Sequence, residues 1–567
     1  ITVSRSQYPV LAALVAAVGL LLMCSILAIG LLLFSRKTPT GPAAATVRDP
    51  RSAILTIVTS PEKQALIEAL VKQFNERRQR TPDGQVMVVR VRSMDPQAMI
   101  EAALKEPDFQ ALTPDSSLWL DQLDQVYAAQ FGKGEILAPR LVAEVVRYAI
   151  SPIVIAAWEP VARELGWPER AVGWRDLQRK AQADPSFKWN HASTSHTSGL
   201  LATLAEFYAG AGKVRDLTIK DVQAKATLDY VAAIERTVRY YGEGELVVLE
   251  RARAEGRRYL DAFVIQEQLV VQFNLSRPPE RLVAIYPAEG TLWADHPLAL
   301  LERPEPTVNQ RRTFQAFREF LLSPEVQRQI LAAGYRPADL SIPLDGPDSP
   351  LTAANGVDAS QPHTMLQIPG PAVVEVVRNV WWYTKRHTNV FLVVDTSGSM
   401  RGEKLEAARE ALRVFLDQIQ GDLERVGMIE FSSQVNYIEP LAELRENRSR
   451  LQERINALVA KGNTALLDAV RAAYARLRQL NDTERINAIV VMTDGRENAS
   501  NVRLDELTEE IQRGNREGSP IVIFAIAYGK DADYEVLQAL AEASGGQVRK
   551  GDLETIRQLY KILSSYF

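Results

Sequence analysis

Two things are scarce in this sequence: cysteine and a surplus of positive charge. With a single cysteine, Cys24, the chain cannot form an internal disulfide bond. The formal net charge of -4 is opposite in sign to the basic surplus that nucleic-acid-binding proteins carry, so we expect no nucleic-acid partner. The rest of the composition is ordinary for a globular protein, and 567 residues are enough for roughly three or four domains.

Charge is also missing from one long segment, Val10–Phe34. At about 1.5 Å per residue, a helix of this length crosses a bilayer core of about 30 Å. The segment is longer than the apolar region of about 7–15 residues in a cleaved signal peptide. We therefore predict an N-terminal transmembrane helix at 10–34, with a flank at 1–9 and a polar tether at 35–52.

Cys24 and the flanking charges bear on how this segment is used. A lipoprotein cysteine follows a small residue, whereas Leu22 and Met23 precede Cys24, so we interpret it as an unmodified cysteine in a membrane helix. Arg36 and Lys37 follow the segment, and the positive-inside rule then favours a cytoplasmic C-terminal part. Because that rule is weak for long domains, the flanking charges leave the orientation open.

Beyond the tether, apolar strands alternate with amphipathic helices up to residue 339. Ala53–Thr59 is predicted to be a buried strand, and Ser60–Lys63 after it has a serine N-cap and a proline suited to the first helical turn. Val86–Val91 is the next predicted strand. This alternation indicates an α/β architecture with a largely parallel sheet.

Residues 340–387 separate this domain, 53–339, from a second one at 388–567. Their first part is rich in Pro, Gly, Asp and Ser and lacks a hydrophobic period, which indicates a linker. A short helix is predicted at its end, Ala372–Tyr383. Four strands are then predicted in the second domain: Asn389–Val394, Gly427–Phe431, Ala488–Met492 and Ile521–Ala527.

Oxygen-bearing side chains follow two of these strands. Asp395, Ser397 and Ser399 alternate after the first, Asp494 follows the third, and Thr464 lies in a loop that begins a helix. Because the carboxyl ends of parallel strands open into a shared crevice, we expect the five side chains to converge. Carboxylates and hydroxyls suit a hard divalent cation, and the lack of a thiol or imidazole in the set disfavours zinc. The alternative for the first three alone is a turn with a helix cap.

In this order, the five residues resemble the metal-ion-dependent adhesion site of a von Willebrand factor A (VWA) domain. The resemblance covers 388–567 and implies a doubly wound, Rossmann-like α/β fold. It implies that Ser397, Ser399 and Thr464 bind Mg²⁺ or Ca²⁺, with Mn²⁺ as a third candidate. Asp395 and Asp494 would neutralise the ion, often through water. One open coordination position would then accept an acidic side chain of a protein partner.

The first domain carries a second resemblance, to bacterial extracellular solute-binding proteins of the periplasmic type. The segments that carry it are Tyr148–Gly166, Lys188–Gly199, Ile285–Pro297 and Leu321–Pro337. The resemblance implies two α/β lobes joined by crossover strands, with a small-molecule solute in the cleft between them. We expect the crossovers near Tyr148–Val154 and Asp261–Phe273.

Two groups of hydroxyl residues that precede predicted helices are candidate solute contacts. Hydroxyls beside helix-opening N–H groups can hold an anion or a polar ligand, although such residues are also common as caps. His191 and His196 could be read as metal ligands, but no third ligand is evident, and Glu289 and Asp295 are interpreted as solvated. The candidate contacts are Ser116, Ser117, Ser193, Thr194, Ser195, Thr197 and Ser198.

Together these features predict a membrane-anchored binding and adhesion protein. Solute-binding domains work outside the cytoplasm, so we expect a cytoplasmic N-terminus, one membrane helix and an extracytoplasmic bulk. The alternative is a scaffold or assembly subunit of a membrane complex, with a relict solute-binding fold. A hydrolase that activates water with the ion is disfavoured, because neither a histidine nor an uncommitted carboxylate accompanies the metal set. We expect no enzymatic activity.

Overall fold

The structure is a computed structural model, and it describes Asp49 and residues 51–132, 139–242, 244–419, 421–553 and 555–564. The chain divides into two units, Ile1–Ser52 and Ala53–Phe567, and the elements below belong to the second. The predicted membrane helix 10–34 with Cys24, the flank 1–9 and nearly all of the tether 35–52 lie outside the described residues. Within the described part of the chain, no helix is both long enough and apolar enough to cross a bilayer.

The first lobe is built on a five-stranded sheet. Its strands are β1 (Ile54–Thr59), β2 (Val88–Ser93), β3 (Ala111–Thr113), β4 (Val142–Arg147) and β10 (Pro297–Leu301), in the order β2-β1-β3-β10-β4. β1 runs parallel to β2 and β3, whereas β10 is antiparallel to β3 and β4. Its helices are α1 (Gln64–Glu76), α2 (Pro96–Ala103), α3 (Leu118–Phe131), α11 (Val308–Leu321) and α12 (Pro324–Ala332). Phe74 of α1 packs edge-on against Phe317 of α11, which joins these helices over one face.

The second lobe is organised around one long strand, β5 (Ala149–Trp158). The other strands are β6 (Trp189–Asn190), β7 (Ala262–Gln266), β8 (Leu282–Ile285), β9 (Trp293–Ala294) and β11 (Arg336–Pro337). β7, β8, β9 and β11 pair antiparallel with β5, and β6 pairs parallel with β7. The helices are α4 (Glu159–Leu165), α5 (Trp174–Ala183), α6 (Thr197–Ala211), α7 (Ile219–Val222), α8 (Lys225–Glu235), α9 (Glu245–Glu255) and α10 (Glu267–Leu275).

The chain changes sheets at Tyr148, between β4 and β5, which confirms the crossover expected near Tyr148–Val154. The return expected at Asp261–Phe273 is wrong. That segment forms β7 and most of α10, and β7 is a fully buried apolar strand paired with β5 inside the second sheet. The chain returns instead between β9 and β10, at Asp295–His296.

The segment between the two domains lies against the second lobe. The Ala284 N–H donates to the Gly356 carbonyl at 2.7 Å, and the Tyr208 hydroxyl donates to the Gln367 carbonyl at 2.6 Å. The predicted helix at its end is confirmed as α13 (Pro371–Thr384), which packs on α6 and α8. The predicted linker is therefore fastened to the lobe by its own backbone.

The C-terminal domain has one six-stranded sheet in the order β14-β13-β12-β15-β16-β17, in which only the β13–β14 pair is antiparallel. The strands are β12 (Thr388–Asp395), β13 (Arg425–Phe431), β14 (Val435–Glu443), β15 (Ile486–Thr493), β16 (Ile521–Tyr528) and β17 (Gln547–Gly551). The four predicted strands are thus confirmed as β12, β13, β15 and β16. The order is that of a doubly wound dinucleotide-binding fold.

Helices cover both faces of this sheet. They are α14 (Glu403–Gln418), α15 (Leu444–Asn456), α16 (Leu466–Leu480), α17 (Leu504–Glu517), α18 (Tyr534–Ser544) and α19 (Ile556–Ser564). Alternate residues of β12 lie in the cores on opposite faces of the sheet, because Leu392 shares one buried cluster with Leu412 of α14 and Val393 shares another with Val470 of α16. β12 is therefore buried on both sides, and only its carboxyl end is free for chemistry.

Candidate functional site

The predicted metal ligands of the C-terminal domain lie where its sheet changes winding direction. β12 lies between β13 and β15, so the chain leaves β12 to one side first and reaches the other side later. Such a switch point leaves a crevice at the carboxyl ends of the strands. Asp395 is the last residue of β12, and Asp494 directly follows Thr493, the last residue of β15.

The structure brings the two strand ends into one hydrogen-bonded cluster. Ser397 Oγ lies 2.9 Å from Ser399 Oγ, and the Ser399 hydroxyl donates to Asp494 Oδ1 at 2.6 Å. The Ser397 backbone N–H donates to Asp395 Oδ1 at 2.7 Å, and the Thr493 hydroxyl donates to Asp395 Oδ2. Both aspartates are fully buried. The carboxylates are thus held in place by the groups around them.

Thr464 reaches the same cluster from the loop before α16. Its backbone N–H donates to Asn498 Oδ1 at 3.0 Å, and the Gly398 N–H donates to the Gly462 carbonyl at 2.9 Å, which ties the two loops together. A Cβ atom on Gly495 would lie 2.6 Å from Thr464 Oγ1 and 3.5 Å from Ser399 Oγ. Both hydroxyls therefore lie over one glycine, in space that a side chain there would fill.

Burial changes the acidity of this cluster. It raises the pKa of Asp395 to about 6, although the Thr493 hydroxyl and the Ser397 N–H oppose the rise, and the neighbouring charge of Asp494 adds to it. Two close, buried carboxylates disfavour each other's ionised forms. A cation between them would remove that cost.

One cation of the protein already lies at the cluster. The Lys404 ammonium forms an ion pair with Asp494 Oδ2, and the lysine side chain is 32% exposed while the aspartate is buried. The motif alone did not indicate this residue. A signal was present, because Lys404 is in the first turn of α14, where the helix dipole disfavours a positive charge unless a carboxylate compensates it.

The donor set fits a hard divalent cation. It offers three hydroxyls and two carboxylates, and oxygen ligands of this kind are those that Mg²⁺ and Ca²⁺ take in proteins. The single positive charge of Lys404 can offset the charge of only one of the two aspartates. The residues that would hold the ion are Ser397, Ser399 and Thr464, with Asp395 and Asp494 balancing its charge.

The candidate solute contacts Ser116 and Ser117 have protein partners instead. The Ser117 N–H and hydroxyl donate to the two carboxylate oxygens of Asp295, each at 2.7 Å, and Arg147 Nε donates to the same carboxylate at 2.5 Å. Ser116 Oγ accepts from the Leu118 N–H at 3.3 Å, at the start of α3. The interpretation of Asp295 as solvated is wrong, because this network buries it.

The second group of candidates borders a cavity of about 720 Å³, a volume within the usual range for small-molecule sites. Ser193, Thr194 and Ser195 line it, and α13 forms another part of its wall. Thr197 instead accepts a hydrogen bond from Trp119 Nε1 at 2.9 Å, and Ser198 is fully buried outside the lining. Three of the five predicted residues therefore face a space that could hold a solute.

His191 and His196 point to different surroundings. His196 Nδ1 lies 3.2 Å from Ser195 Oγ at the cavity, whereas His191 Nε2 lies 3.3 Å from Glu235 Oε2 in the interior. Glu289 is half-buried and accepts from the Trp174 N–H at 3.3 Å. The two histidines therefore do not form one metal site.

Two family models match the chain. The model of the bacterial extracellular solute-binding protein matches residues 55–336. The model of the von Willebrand factor type A domain matches residues 389–561. The chain is therefore a solute-binding domain followed by a VWA domain, as the two resemblances in its sequence predicted.

Curated relatives match this chain over a stretch of about 170 residues. Inter-alpha-trypsin inhibitor heavy chain H4 of Sus scrofa is 30% identical over 169 residues, which are 29% of this chain and 18% of that protein. Heavy chain H3 of Homo sapiens is 27% identical over 169 residues, 29% of this chain and 19% of that protein. The chain thus spans about a fifth of the length of the curated relatives it matches.

Among solved structures, the periplasmic binding protein AfuA from Actinobacillus pleuropneumoniae is 14% identical, with a TM-score of 0.42. That match covers 59% of this chain and 99% of the other. A von Willebrand factor type A structure from Catenulispora acidiphila is 21% identical, with a TM-score of 0.29, and covers 32% of this chain and 43% of the other.

Proposed function

We propose that this chain, a solute-binding domain joined to a VWA domain, recognises a protein partner through a divalent cation held by the VWA domain. The observation that carries the proposal is the meeting of Ser397, Ser399 and Thr464 beside two buried aspartates at the switch point of the sheet. We propose Mg²⁺ or Ca²⁺ as the ion, with Mn²⁺ as a third candidate.

The charges of the residues explain why such a cluster suits adhesion. Hydroxyl ligands carry no charge, so a cation held by them stays electrophilic enough to accept a carboxylate from a partner. Asp395 is engaged by the Ser397 N–H and the Thr493 hydroxyl, and Asp494 by Ser399 and Lys404. Both carboxylates accept hydrogen bonds from the protein and the cluster has no histidine, so we propose a non-enzymatic role.

The cavity beside Ser193, Thr194 and Ser195 is the place where we propose that the first domain binds a solute. Its hydroxyls and the nearby carboxylate of Asp121 suit a polar molecule. A thermal-shift screen of the full chain with a library of small polar molecules tests this, and Ser195→Ala should weaken any ligand that is found.

A scaffold or assembly subunit is the second candidate function. The pairing of Ser117 with Asp295 favours it, because a cleft serine committed to a carboxylate is not free to bind a solute. Recovery of stoichiometric partner proteins from membranes, together with a silent ligand screen, would support the scaffold over the solute receptor.

For location, we propose a single-pass membrane protein with residues 10–34 as the anchor, a cytoplasmic N-terminus and an extracytoplasmic bulk. The match to extracellular solute-binding proteins supports this side of the membrane. Protease treatment of intact cells should release fragments of the VWA domain. Cleavage only after the cells are broken would reverse the orientation.

Metal dependence is tested by thermal unfolding with Mg²⁺, Ca²⁺ or Mn²⁺ and with EDTA. An ion at about 100 times its dissociation constant should stabilise the protein by about 2.7 kcal/mol. Asp395→Ala should abolish the response to Mg²⁺ and Ca²⁺, whereas the control Glu289→Gln, in the other domain, should keep it. An unchanged response in Asp395→Ala would remove the proposed adhesion site.

A further inference from the structure

Three buried side chains outside the VWA domain meet inside the second lobe: His191, Glu206 and Glu235. They come from three elements, since His191 follows β6, Glu206 lies in α6 and Glu235 ends α8. One ligand atom from each lies within 4.8 Å of the other two. All three side chains are fully buried, so whatever balances their charges must lie among them or beside them.

The hydrogen bond on the far side of the His191 ring fixes its tautomer. Nδ1 lies 2.8 Å from the Ala192 carbonyl oxygen, and because a carbonyl only accepts, Nδ1 carries a proton. In the neutral ring, Nε2 then presents a lone pair towards Glu235 Oε2, 3.3 Å away. Two acceptors that face each other at this distance need a cation or a proton between them. A ring N–H bound to a backbone carbonyl is also the usual outer contact of a metal-binding histidine.

Glu235 is held in a similar way from outside. The Tyr241 hydroxyl donates to its Oε2 at 2.6 Å, and the Trp381 indole N–H donates to its Oε1 at 2.7 Å. These two donors hold the Glu235 carboxylate in place, and its remaining lone pairs are available on the side of His191. Support of this kind orients the ligands of metal sites.

Glu206 is the side chain that a simple ion pair leaves unexplained. Both of its carboxylate oxygens are buried and have no hydrogen-bond partner among the residues that the structure describes. It is the single charged residue of α6, a helix whose side chains are buried from Thr197 to Tyr208. A buried carboxyl group with no hydrogen-bond partner is unfavourable in its neutral form and more so in its ionised form. An imidazolium–carboxylate pair between His191 and Glu235 would leave that cost in place.

We propose that His191, Glu206 and Glu235 form a second metal site, which takes a divalent transition metal of the Zn²⁺ type. One imidazole nitrogen and two carboxylate oxygens suit such an ion better than Mg²⁺ or Ca²⁺, which take oxygen ligands. Three protein ligands leave a further position for water or another donor. The site is separate from the VWA cluster and uses a different class of ion.

Aromatic rings border the proposed metal site, and one of them also lines the nearby cavity. The rings of Trp189 and Tyr241 lie 6.0 and 5.4 Å from the His191 ring. Trp381, which donates to Glu235, also lines the cavity of about 720 Å³. The site therefore lies directly behind one wall of the cavity, and movement of this indole would open it.

The test uses the full chain carrying Asp395→Ala, so that the VWA cluster does not bind the probe, with Co²⁺ as a coloured substitute for Zn²⁺. We expect one equivalent of bound Co²⁺ with the visible absorption bands of a low-coordinate nitrogen and oxygen site. Adding Glu206→Gln or His191→Gln should remove the bands, and Tyr241→Phe should weaken binding by about 10–100-fold. The matched control Glu289→Gln changes a nearby carboxylate outside the ligand set and should keep the bands.

A second measurement does not depend on how the lobe variants fold. X-ray absorption of the Zn²⁺-loaded Asp395→Ala protein should show one imidazole at about 2.0–2.1 Å together with oxygen ligands. The proposal is overturned if the folded Asp395→Ala protein binds no Co²⁺, if Glu206→Gln leaves the bands unchanged, or if no imidazole is seen at the zinc. None of these results bears on the Mg²⁺ response of the VWA domain.

Discussion

Both domains place serines and threonines at the start of helices, but the side chains have different partners. In the VWA domain, Ser397 contacts Ser399, and Ser399 donates to Asp494, so the partners of each hydroxyl belong to the same cluster. In the solute-binding domain, Ser117 donates to Asp295, which lies where the chain returns between the lobes. The same residue types thus build the proposed metal site in one place and a structural contact in the other. What distinguishes them is whether the partner is another member of the cluster.

The largest loss of stability that we predict is at the boundary between the solute-binding domain and the VWA domain. Glu424 is fully buried, pairs with Lys385 Nζ at 2.9 Å and accepts from the Thr388 N–H at 2.6 Å. Glu424→Gln removes the carboxylate charge that pairs with the buried Lys385 ammonium, so we expect a loss of about 3–5 kcal/mol in the free energy of unfolding. Urea denaturation measures it.

Acid dependence and a double variant sharpen this prediction. Burial alone would raise the pKa of Glu424, but the charge of Lys385 and hydrogen bonds from His387 and Thr388 lower it to about 2. Its stabilisation is therefore complete above a pH of about 4.5 and is lost as the pH falls towards 2. Glu424→Gln should lack this acid-dependent part, and Lys385→Met added to it should recover much of the loss. An equal loss in the double variant would contradict the buried-pair explanation.

Because Ser117 is bonded to a buried carboxylate and Ser195 lies at the cavity wall, we predict that replacing them with alanine destabilises the protein to different extents. Ser117→Ala removes a hydrogen bond to a buried carboxylate and should destabilise the protein by about 1–3 kcal/mol. Ser195→Ala, at the cavity wall, removes the contacts of Ser195 Oγ with Ser193 Oγ and His196 Nδ1 but takes no donor from a buried carboxylate, so it should cost less, about 0.5 kcal/mol. Thermal unfolding of the two variants measures the difference. Equal losses of unfolding free energy would show that Ser117 is no more a structural residue than Ser195.

The last prediction concerns ion binding rather than folding, and it involves the lysine at the VWA cluster. Lys404→Met removes a positive charge that repels an incoming cation, so we expect Mg²⁺ to bind about tenfold more tightly, or about 1.4 kcal/mol. Isothermal titration measures the change, and Lys461→Met, on the exposed loop before Thr464, is the matched control. Weaker binding in Lys404→Met would mean that the ion and the lysine do not compete.

The sequence identified the interior of the VWA sheet but not its edges. β12, β13, β15 and β16 are nearly continuous apolar runs, and burial on both faces makes such runs recognisable. β14 and β17 were not predicted. β14 is partly exposed and contains Pro440, and β17 is short and carries Arg549 and Lys550. Edge strands of this kind form because a neighbour offers hydrogen bonds, which the local pattern does not record.

The same distinction separates the two candidate metal sites. Three of the five VWA residues lie within one stretch of five residues, and the other two border recognisable elements, so their meeting was predictable. His191, Glu206 and Glu235 meet only because α6 and α8 pack together in the lobe. The signal that could have indicated them was a lone glutamate in an apolar helix, which a buried partner must compensate.

The helix Pro371–Thr384 has a mechanical consequence. Near the end of this helix, the Trp381 indole N–H donates to the carboxylate of Glu235, deep in the solute-binding lobe. Arg386, two residues after the helix ends, donates to the Val238 carbonyl at 2.9 Å and to the Thr483 carbonyl at 2.8 Å. β12 begins two residues later. A pulling force on the VWA domain would therefore meet no slack segment between Thr384 and Thr388, and the tension would reach the interior of the solute-binding lobe directly.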